Sequence, residues 1–398
     1  MQQAGGVEGQ LTITLDWDGE YVTAVSIASS RPLQMPRIFT GKSVNYLLDT
    51  LPLLYSVCGT AQACAAVTAC EQAMGICQDP VRSQGRAILV LLETAKEHAW
   101  RISYDWARMV GEGESADAVA RLMALMGSFR DVIYPELKPF MPGVQPGVTD
   151  PARLDALQAE LEQTLQASVF TIPLDSWLGI DSPDGLLAWA SEAHSVAARF
   201  ISQLVAGDQM SIGEAPYHAL PVLDALTLDS LLMSEGADAL IAQPTWEGET
   251  YETGPMTRVA DHPLLVALRR QYGHGLLVRA VARLVELASI PGDIRRGVDC
   301  LANHIGCEST VVVELEQGRG IAQIEAARGR LIHRIELDQE SVVSYRILAP
   351  TEWNFHPGGV LAQGLAGMHA GSEQVMRTQA AMLINAIDPC VAYELVVR

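Results

Sequence analysis

The chain has 398 residues, enough for a large core, and 49% of them are hydrophobic while 19% are charged. This composition is typical of a globular protein. Lys and Arg number 27 against 47 Asp and Glu, a formal net charge of −20, which would repel a phosphate backbone and argues against a nucleic-acid partner.

The first predicted element is a β-hairpin over residues 10–29, where apolar and polar side chains alternate and Asp18-Gly19 marks the turn. Residues 43–56 have a helical pattern, and we expect a longer helix from 59 to about 76. Another helix should run from 81 to about 110. Helical patterns recur at 115–128, 151–168, 186–205 and 262–290.

The sequence becomes β-rich after about residue 308, with strands predicted at 310–316, 321–325, 331–337 and 341–348. A helix at roughly 373–386 then leads to Cys390. The pattern predicts an α+β fold. Its predominantly helical body, 43–307, lies between a β-rich N-terminal part, 1–42, and a β-rich C-terminal part, 308–398.

The sequence predicts neither a membrane span nor a signal peptide. No apolar run approaches the roughly 18–20 residues that a span needs, and the N-terminus lacks a basic region followed by an apolar stretch. We therefore expect a cytoplasmic protein. In a reducing compartment its seven cysteines would be thiols or metal ligands rather than disulfides.

Two cysteines near opposite ends of the chain have similar surroundings. Tyr55 precedes Cys58 by three positions, and Tyr393 follows Cys390 by three. A Cys-x-x-Cys pair holds a soft metal between two thiolates, so each segment resembles such a pair with one sulfur replaced by a phenol. Taken singly, each cysteine is more often a small buried hydrophobe than a ligand.

Helical geometry separates the other cysteines from this pattern. At about 100° per residue, Gln62 shares a face with Cys58, whereas Cys64, Cys70 and Cys77 point elsewhere and are interpreted as packing residues. The sequence contains no His-x-x-x-His pair, Gly-rich phosphate loop or Gly-x-Ser-x-Gly elbow. An ordinary zinc, nucleotide or serine-hydrolase site is therefore not indicated.

Several segments together resemble the large subunit of nickel–iron hydrogenases. Val57-Cys58-Gly59, with Glu71 downstream, resembles that family's Arg-Ile-Cys-Gly-x-Cys motif and following Ala-x-Glu helix. Asp388-Pro389-Cys390 resembles its Asp-Pro-Cys-x-x-Cys motif. The segments between follow in the family's order: 31–34 (Arg-Gly-x-Glu, here with Gln34), 251–258 (Glu-x-Gly-Pro-Leu-x-Arg), 325–329 (Glu-Ala-Pro-Arg-Gly, here with Ala327) and 349–354 (Val-Pro-Thr-x-Trp-Asn).

The departures resemble a narrower group, the HupK/HoxV-type accessory proteins of hydrogenase maturation. Tyr55 and Tyr393 stand where the family has two nickel thiolates, and Gln62 stands where it has a histidine. The resemblance therefore implies no nickel and a transient Fe(CN)2(CO) unit held by Cys58 and/or Cys390. In the family's register Cys58 matches a bridging cysteine, but Cys390 matches a nickel-only one.

The resemblance also implies residues around the iron. Arg328 matches an arginine near one cyanide, and a guanidinium donates charge-assisted hydrogen bonds to such a nitrogen. Pro350 and Thr351 match the stretch beside the other cyanide, and Asp388 is expected in the same pocket. The alternative is an arginine in a surface turn and a threonine at a strand end.

The expected function is a non-catalytic scaffold that accepts the iron unit from maturation proteins and passes it to the hydrogenase large-subunit precursor. No extension follows the C-terminal motif, so the cleavage that matures catalytic large subunits is not expected. The alternatives are a degenerate large-subunit-like structural subunit without a metal, and a redox enzyme with an altered centre.

Overall fold

Two three-stranded sheets and a large helical body make up residues 9–303 and 315–398, which the computed structural model describes. The first sheet contains β1 (Gln10–Trp17), β2 (Val22–Ser29) and β6 (Ala392–Val397), and the second contains β3 (Arg319–Ala326), β4 (Gly329–Asp338) and β5 (Ser341–Leu348). The run at 310–314, predicted to be β, lies outside the described residues.

The helices are distributed from residue 44 to residue 387. In chain order they are α1 (Val44–Leu54), α2 (Gly59–Ala73), α3 (Pro80–Trp100), α4 (Ala107–Met109), α5 (Asp117–Ile133), α6 (Pro151–Leu165), α7 (Leu174–Leu178), α8 (Pro183–Glu192), α9 (Val196–Ala206), α10 (Ala225–Met233), α11 (Ala237–Ala242), α12 (Pro255–Arg258), α13 (Pro263–Tyr272), α14 (Leu276–Asn303), α15 (Pro350–Asn354), α16 (Val360–Leu365) and α17 (Glu373–Ile387). Short 3-10 turns occupy Met35–Phe39 and Ser56–Cys58, and π-helical segments occupy Arg101–Trp106 and Gln166–Phe170.

The first sheet joins the two ends of the described chain. The β1–β2 hairpin forms as predicted, and the Asp18 carboxylate accepts the backbone N–H groups of Glu20 and Tyr21 in its turn. Strand β6, which the sequence did not predict, adds to the other edge of β1 in parallel, with Leu11 opposite Tyr393. The N- and C-terminal β-rich segments therefore share one sheet.

The second sheet packs against α2 through small residues. A Cβ atom on Gly320 of β3 would lie 1.9 Å from the carbonyl oxygen of Ala69 in α2. The strand thus approaches the helix backbone more closely than any residue with a side chain allows. This contact sets the distance between α2 and the second sheet. Because the first residue of α2 follows Cys58, it also sets the position of Cys58.

The helical body is built around α14, which packs against α3, α6 and α13 and is almost entirely buried from Leu276 to Pro291. Two predicted helices are interrupted in the structure. The pattern at 186–205 divides at 193–195, where Ser195 caps α9, and the pattern at 262–290 divides at Gly273, whose φ is +62°. Helix α3 continues into α4 through the π-helical turn.

The cysteines are mostly thiols. Cys58, Cys64, Cys70, Cys77 and Cys390 are free, whereas Cys300 is disulfide-bonded, so the expectation of thiols or metal ligands rather than disulfides is wrong at that position. In the described part of the chain, no single helix has the length and apolarity to cross a membrane. The pair Val44–Leu54 and Ser56–Ala73 meets that test by length and composition, bent by 99°.

Candidate metal centre

The two cysteines predicted as ligands line the same cavity. Cys58 lies between α1 and α2, and Cys390 lies between α17 and β6, so both occupy junctions where the chain changes direction. The interior volume is about 20 Å³, about the room for one water molecule. The lining residues are Arg31, Tyr55, Val57, Cys58, Gln62, Ala326, Ala327, Arg328, Leu331, Ala349, Pro350 and Cys390.

Cys58 is held by the start of α2. The Glu93 carboxylate accepts hydrogen bonds from the backbone N–H groups of Thr60 and Ala61 at 2.8 and 2.9 Å. Glu93 belongs to α3, so a side chain of another helix caps the N-terminus of α2. The Gln62 amide donates to Cys58 Sγ at 3.7 Å, as the shared helix face predicted. Burial, and then the neighbouring Cys390 and Glu93, raise the pKa of the Cys58 thiol to about 12. Metal binding at this sulfur would therefore release a proton at neutral pH.

Cys390 is oriented by Thr351. The Thr351 hydroxyl donates to Cys390 Sγ at 3.0 Å and accepts the backbone N–H of Cys390 at 3.3 Å. Pro350 lines the cavity. Thr351 is outside the lining and contacts Cys390 through these two hydrogen bonds. Across residues 9–303 and 315–398, no group of three or more His, Cys, Asp or Glu side chains is arranged to hold a metal ion. The protein therefore offers two thiols here and no complete metal cage.

Arg328 presents one unused donor to the cavity. Its Nε donates to Asp388 at 2.9 Å and its Nη2 donates to Glu97 at 3.0 Å. Nη1 is buried and finds no hydrogen-bond acceptor among the described residues. Burial lowers the pKa of this guanidinium, but Asp388, Glu97 and the two cavity cysteines outweigh it and raise the pKa above its ordinary value. The group stays charged, and its Nη1 is available to donate to a ligand.

Asp388 supports Arg328 and is not among the residues that line the cavity. It ends α17 in the left-handed region, at φ +70°, and it pairs with Arg101 at 2.5 Å, Arg328 at 2.9 Å and Arg283 at 3.2 Å. Burial would raise the pKa of this carboxyl, but Arg101, Arg328 and Arg283 lower it far below its usual range. Asp388 therefore positions Arg328 without lining the cavity itself.

The remaining matched motifs meet at the backbone beside Arg328. Arg258 donates to the carbonyl oxygens of Ala326 and Ala327 at 3.1 and 3.0 Å. The Asn354 side chain donates to the carbonyl oxygen of Arg328 at 3.2 Å. Segments far apart in sequence thus fix one turn, which explains physically why they occur together in this chain.

The two tyrosines are not equivalent. Tyr55 lines the cavity, whereas Tyr393 is outside the lining and its hydroxyl accepts a hydrogen bond from the Asn385 side chain at 3.3 Å. Asp105 pairs with Arg101 at 2.7 Å and is also outside the lining. Gln34 is exposed and donates to Asp238 at 3.4 Å, away from the cavity.

Arg31 lines the cavity, although the sequence did not predict it as a site residue. Its side chain is 9% exposed and pairs with Glu352. The match of 31–34 to a family segment was the available signal. Within this segment Arg31, and not Gln34, reaches the cavity.

Comparison with known proteins supports both the fold and the resemblance. Residues 214–393 match the nickel-dependent hydrogenase family. The hydrogenase expression/formation protein HupV of Azotobacter chroococcum mcd 1 is 28% identical over 391 residues, covering 97% of this chain and 98% of that protein. The hydrogenase expression/formation protein HoxV of Cupriavidus necator is 29% identical over 375 residues, covering 92% and 91%.

Among solved structures, the Ni-Fe-Se hydrogenase from D. vulgaris Hildenborough superposes with a TM-score of 0.62 at 16% identity, covering 94% of each chain. A likeness at this identity shows the fold alone. It confirms the predicted α+β, hydrogenase large-subunit-like architecture, and the full-length similarity to HupV and HoxV confirms the predicted HupK/HoxV-type resemblance.

Proposed function

We propose that this chain, a homologue of the HupK/HoxV-type hydrogenase expression/formation proteins, is a non-catalytic scaffold in the cytoplasmic maturation of nickel–iron hydrogenase. It accepts an Fe(CN)2(CO) unit from iron-delivering maturation proteins and holds it at the cavity between Cys58 and Cys390. It then passes the unit to the precursor of the hydrogenase large subunit. The iron unit is cargo and not a resident cofactor.

One observation carries the proposal: two thiols and a buried arginine whose Nη1 has no acceptor among the described residues line the same small space. Thiolates are soft ligands that suit a low-spin iron whose other positions are filled by diatomic groups. A cyanide nitrogen is an acceptor for Arg328 Nη1, and it would remove the cost of leaving that donor unpaired. The donor set therefore fits the cargo.

The same donor set argues against nickel chemistry. A phenol is a hard, high-pKa ligand and a poor substitute for a thiolate. Tyr55 occupies one position at which the related enzymes have sulfur, and it lines the cavity. Tyr393 occupies a second such position, and its hydroxyl accepts a hydrogen bond from Asn385. Of the described residues, two that line this cavity carry thiols, where nickel in the related enzymes has four thiolates, and this favours a carrier over a hydrogen-converting enzyme.

The size of the cavity sets a condition on loading. An iron with three diatomic ligands is larger than the interior volume of about 20 Å³. A second cavity adjoins the first, and the two share Arg31, Tyr55 and Ala349 in their linings. We infer that the cargo enters by displacing the Tyr55 side chain toward this second space.

Infrared spectroscopy tests the iron-carrying function. Protein purified from cells that contain the maturation genes should show cyanide and carbonyl stretching bands. Cys58→Ser and Cys390→Ser should weaken or abolish them, because each removes a sulfur ligand. Cys77→Ser is the matched control, since Cys77 is exposed and outside the cavity, and it should leave the bands unchanged.

The alternatives give different results. Well-folded wild-type protein without these bands would contradict iron carrying and favour a structural subunit without a metal. Hydrogen uptake by the pure protein would contradict a non-catalytic role. Incubation of loaded scaffold with the iron-free large-subunit precursor should move the bands to the precursor fraction, and retention on the scaffold would contradict handover.

A further inference from the structure

Arg31 is the second charged side chain in the cavity lining, beside Arg328. It comes from the loop after β2, whereas Arg328 comes from the turn between β3 and β4, so the two guanidinium groups reach the cavity from different sheets. Burial lowers the pKa of Arg31, but Cys390 and Glu352, followed by Tyr55 and Cys58, outweigh it and raise that pKa above its ordinary value. Arg31 therefore stays charged beside both sulfurs.

The hydrogen bonds of Arg31 leave donors available. Its Nη1 donates to Glu352, and within the described part of the chain no other side-chain donor of Arg31 has an assigned acceptor. A guanidinium has five N–H donors in a fixed planar arrangement. Glu352 therefore anchors one edge of the group, while Nε and Nη2 remain able to donate to a ligand in the cavity.

Two other side-chain donors beside the cavity are directed at the sulfurs. The single hydroxyl proton of Thr351 is donated to Cys390 Sγ, and the Gln62 amide donates to Cys58 Sγ. Arg328 Nη1 is one nitrogen with two N–H groups, and it has no acceptor among the described residues. A cargo with two cyanides has two acceptor nitrogens at different positions, and leaving one of them unpaired in a buried site is unfavourable.

We propose that Arg31 is the second cyanide-binding residue of the scaffold, donating to the cyanide that Arg328 does not reach. This inference rests on the proposed iron-carrying function. It departs from the sequence-based expectation that Pro350 and Thr351 flank the second cyanide, because the Thr351 hydroxyl is directed at Cys390. Two guanidinium groups in one lining would also select an iron unit bearing two anionic ligands over bare ferrous iron.

The test compares cyanide stretching bands in loaded variants. Arg31→Met alone leaves Glu352 buried without its cation, so the key variant is Arg31→Met/Glu352→Gln, which removes both charges together. Arg37→Met is the matched control, because Arg37 lies on the same segment but is exposed and pairs with Asp238 at 2.6 Å. Arg31→Lys keeps the charge and a donor.

We expect the double variant to retain iron while one of the two cyanide bands moves to lower wavenumber, because the lost donor leaves more charge on that nitrogen. The carbonyl band should move less, Arg31→Lys should shift the cyanide band by a smaller amount, and Arg37→Met should match the wild type. In the wild type, exchange into D2O should perturb the same cyanide band.

Three outcomes would overturn the assignment. Both cyanide bands could stay at wild-type positions in the folded double variant, which would mean that Arg31 has only a structural role. Arg37→Met could shift a band as much as the double variant does, which would remove the link to the cavity. Absence of all bands from the wild type would overturn the proposed function together with this inference, so the two failures are distinguishable.

Discussion

Asp388 is the residue on which the arrangement behind the cavity depends. Its one carboxylate contacts Arg101, Arg283 and Arg328, and all four side chains are largely removed from water. Removing one member of a buried charge network leaves uncompensated charges and typically costs about 3–5 kcal/mol. Without Asp388, Arg328 Nε also loses its acceptor, and the Nη1 donor is no longer held toward the cavity.

We therefore expect Asp388→Asn to lower the free energy of unfolding by about 3–5 kcal/mol, measured by urea denaturation. The control is Asp131→Asn, because Asp131 is 68% exposed and pairs with the exposed Arg130. Such surface pairs contribute at most about 1 kcal/mol. Equal stability losses in the two variants would contradict the role assigned to Asp388.

The pH dependence of this difference follows from the lowered pKa of Asp388 in the folded state. Its stabilising contribution is present above the unfolded pKa of about 3.9 and is lost as the pH falls through the lower folded pKa. The gap between wild type and Asp388→Asn should therefore be constant from about pH 7 to 5 and narrow below about pH 4. A gap that widens on acidification would contradict this sign.

At this scale the motifs predicted four of the residues that line the cavity, Cys58, Arg328, Pro350 and Cys390, but not Arg31, and they did not predict that Thr351 and Asp388 lie outside the lining. The sequence placed Cys58, Cys390 and Arg328 together, and the structure lines one cavity with all three. The hydrogen bond from Thr351 to Cys390 and the approach of Arg31 depend on how two sheets and a helix pack. No local pattern encodes such distances.

Among the elements, α2 and β3 determine the position of Cys58. Gly320→Ala would place a methyl group against the carbonyl oxygen of Ala69, so strand and helix must separate. Overpacking of this kind costs about 1–3 kcal/mol. We expect lower stability by urea denaturation and weaker iron bands in the same preparation, because α2 carries Cys58 at its N-terminus.

The matched control for that substitution is Gly127→Ala. Gly127 lies inside α5, and a Cβ atom there meets nothing within 4 Å. The better helix propensity of alanine should increase the free energy of unfolding by up to about 1 kcal/mol. If both glycine substitutions had the same effect, the close approach of β3 to α2 would not be the cause.

The sequence predicted the elements that have a clear local pattern, and it missed those whose conformation depends on contacts with distant parts of the chain. Helix α2, helix α17 and the β1–β2 hairpin follow local patterns, and they form where the sequence predicted them. Strand β6 was missed because six residues gain a strand conformation only from pairing with β1. The predicted helices at 186–205 and 262–290 are interrupted at Ser195, which caps α9, and at Gly273, which has a positive φ. Each of these is a signal from a single residue, and it is weak beside the helical pattern that surrounds it.

At the scale of the whole molecule, the sheet β2–β1–β6 connects the C-terminal cysteine to the N-terminal hairpin. We expect removal of residues 392–398 to reduce the free energy of unfolding by several kcal/mol, since each lost ladder hydrogen bond contributes about 0.5–1.5 kcal/mol. The iron bands should be lost as well, because Cys390 would no longer be held beside Thr351. Circular dichroism with urea and the infrared spectrum measure the two effects.

Tyr393→Phe is the control for that deletion. It keeps the strand and removes only a hydroxyl that accepts from Asn385 outside the cavity lining. Both stability and bands should stay near wild type. Loss of the bands in Tyr393→Phe would mean that the phenol acts at the iron, contrary to its position in the structure.

The location of Cys390 also bears on when the site can exist during synthesis. Ribosomes make Arg31 and Cys58 early and Arg328 much later, and Cys390 follows every other residue that lines the cavity. Until Cys390 has been made and β6 pairs with β1, only one of the two cavity sulfurs is present. If the proposed function holds, an iron unit cannot be loaded between the two cysteines before residues 390–397 have emerged and folded.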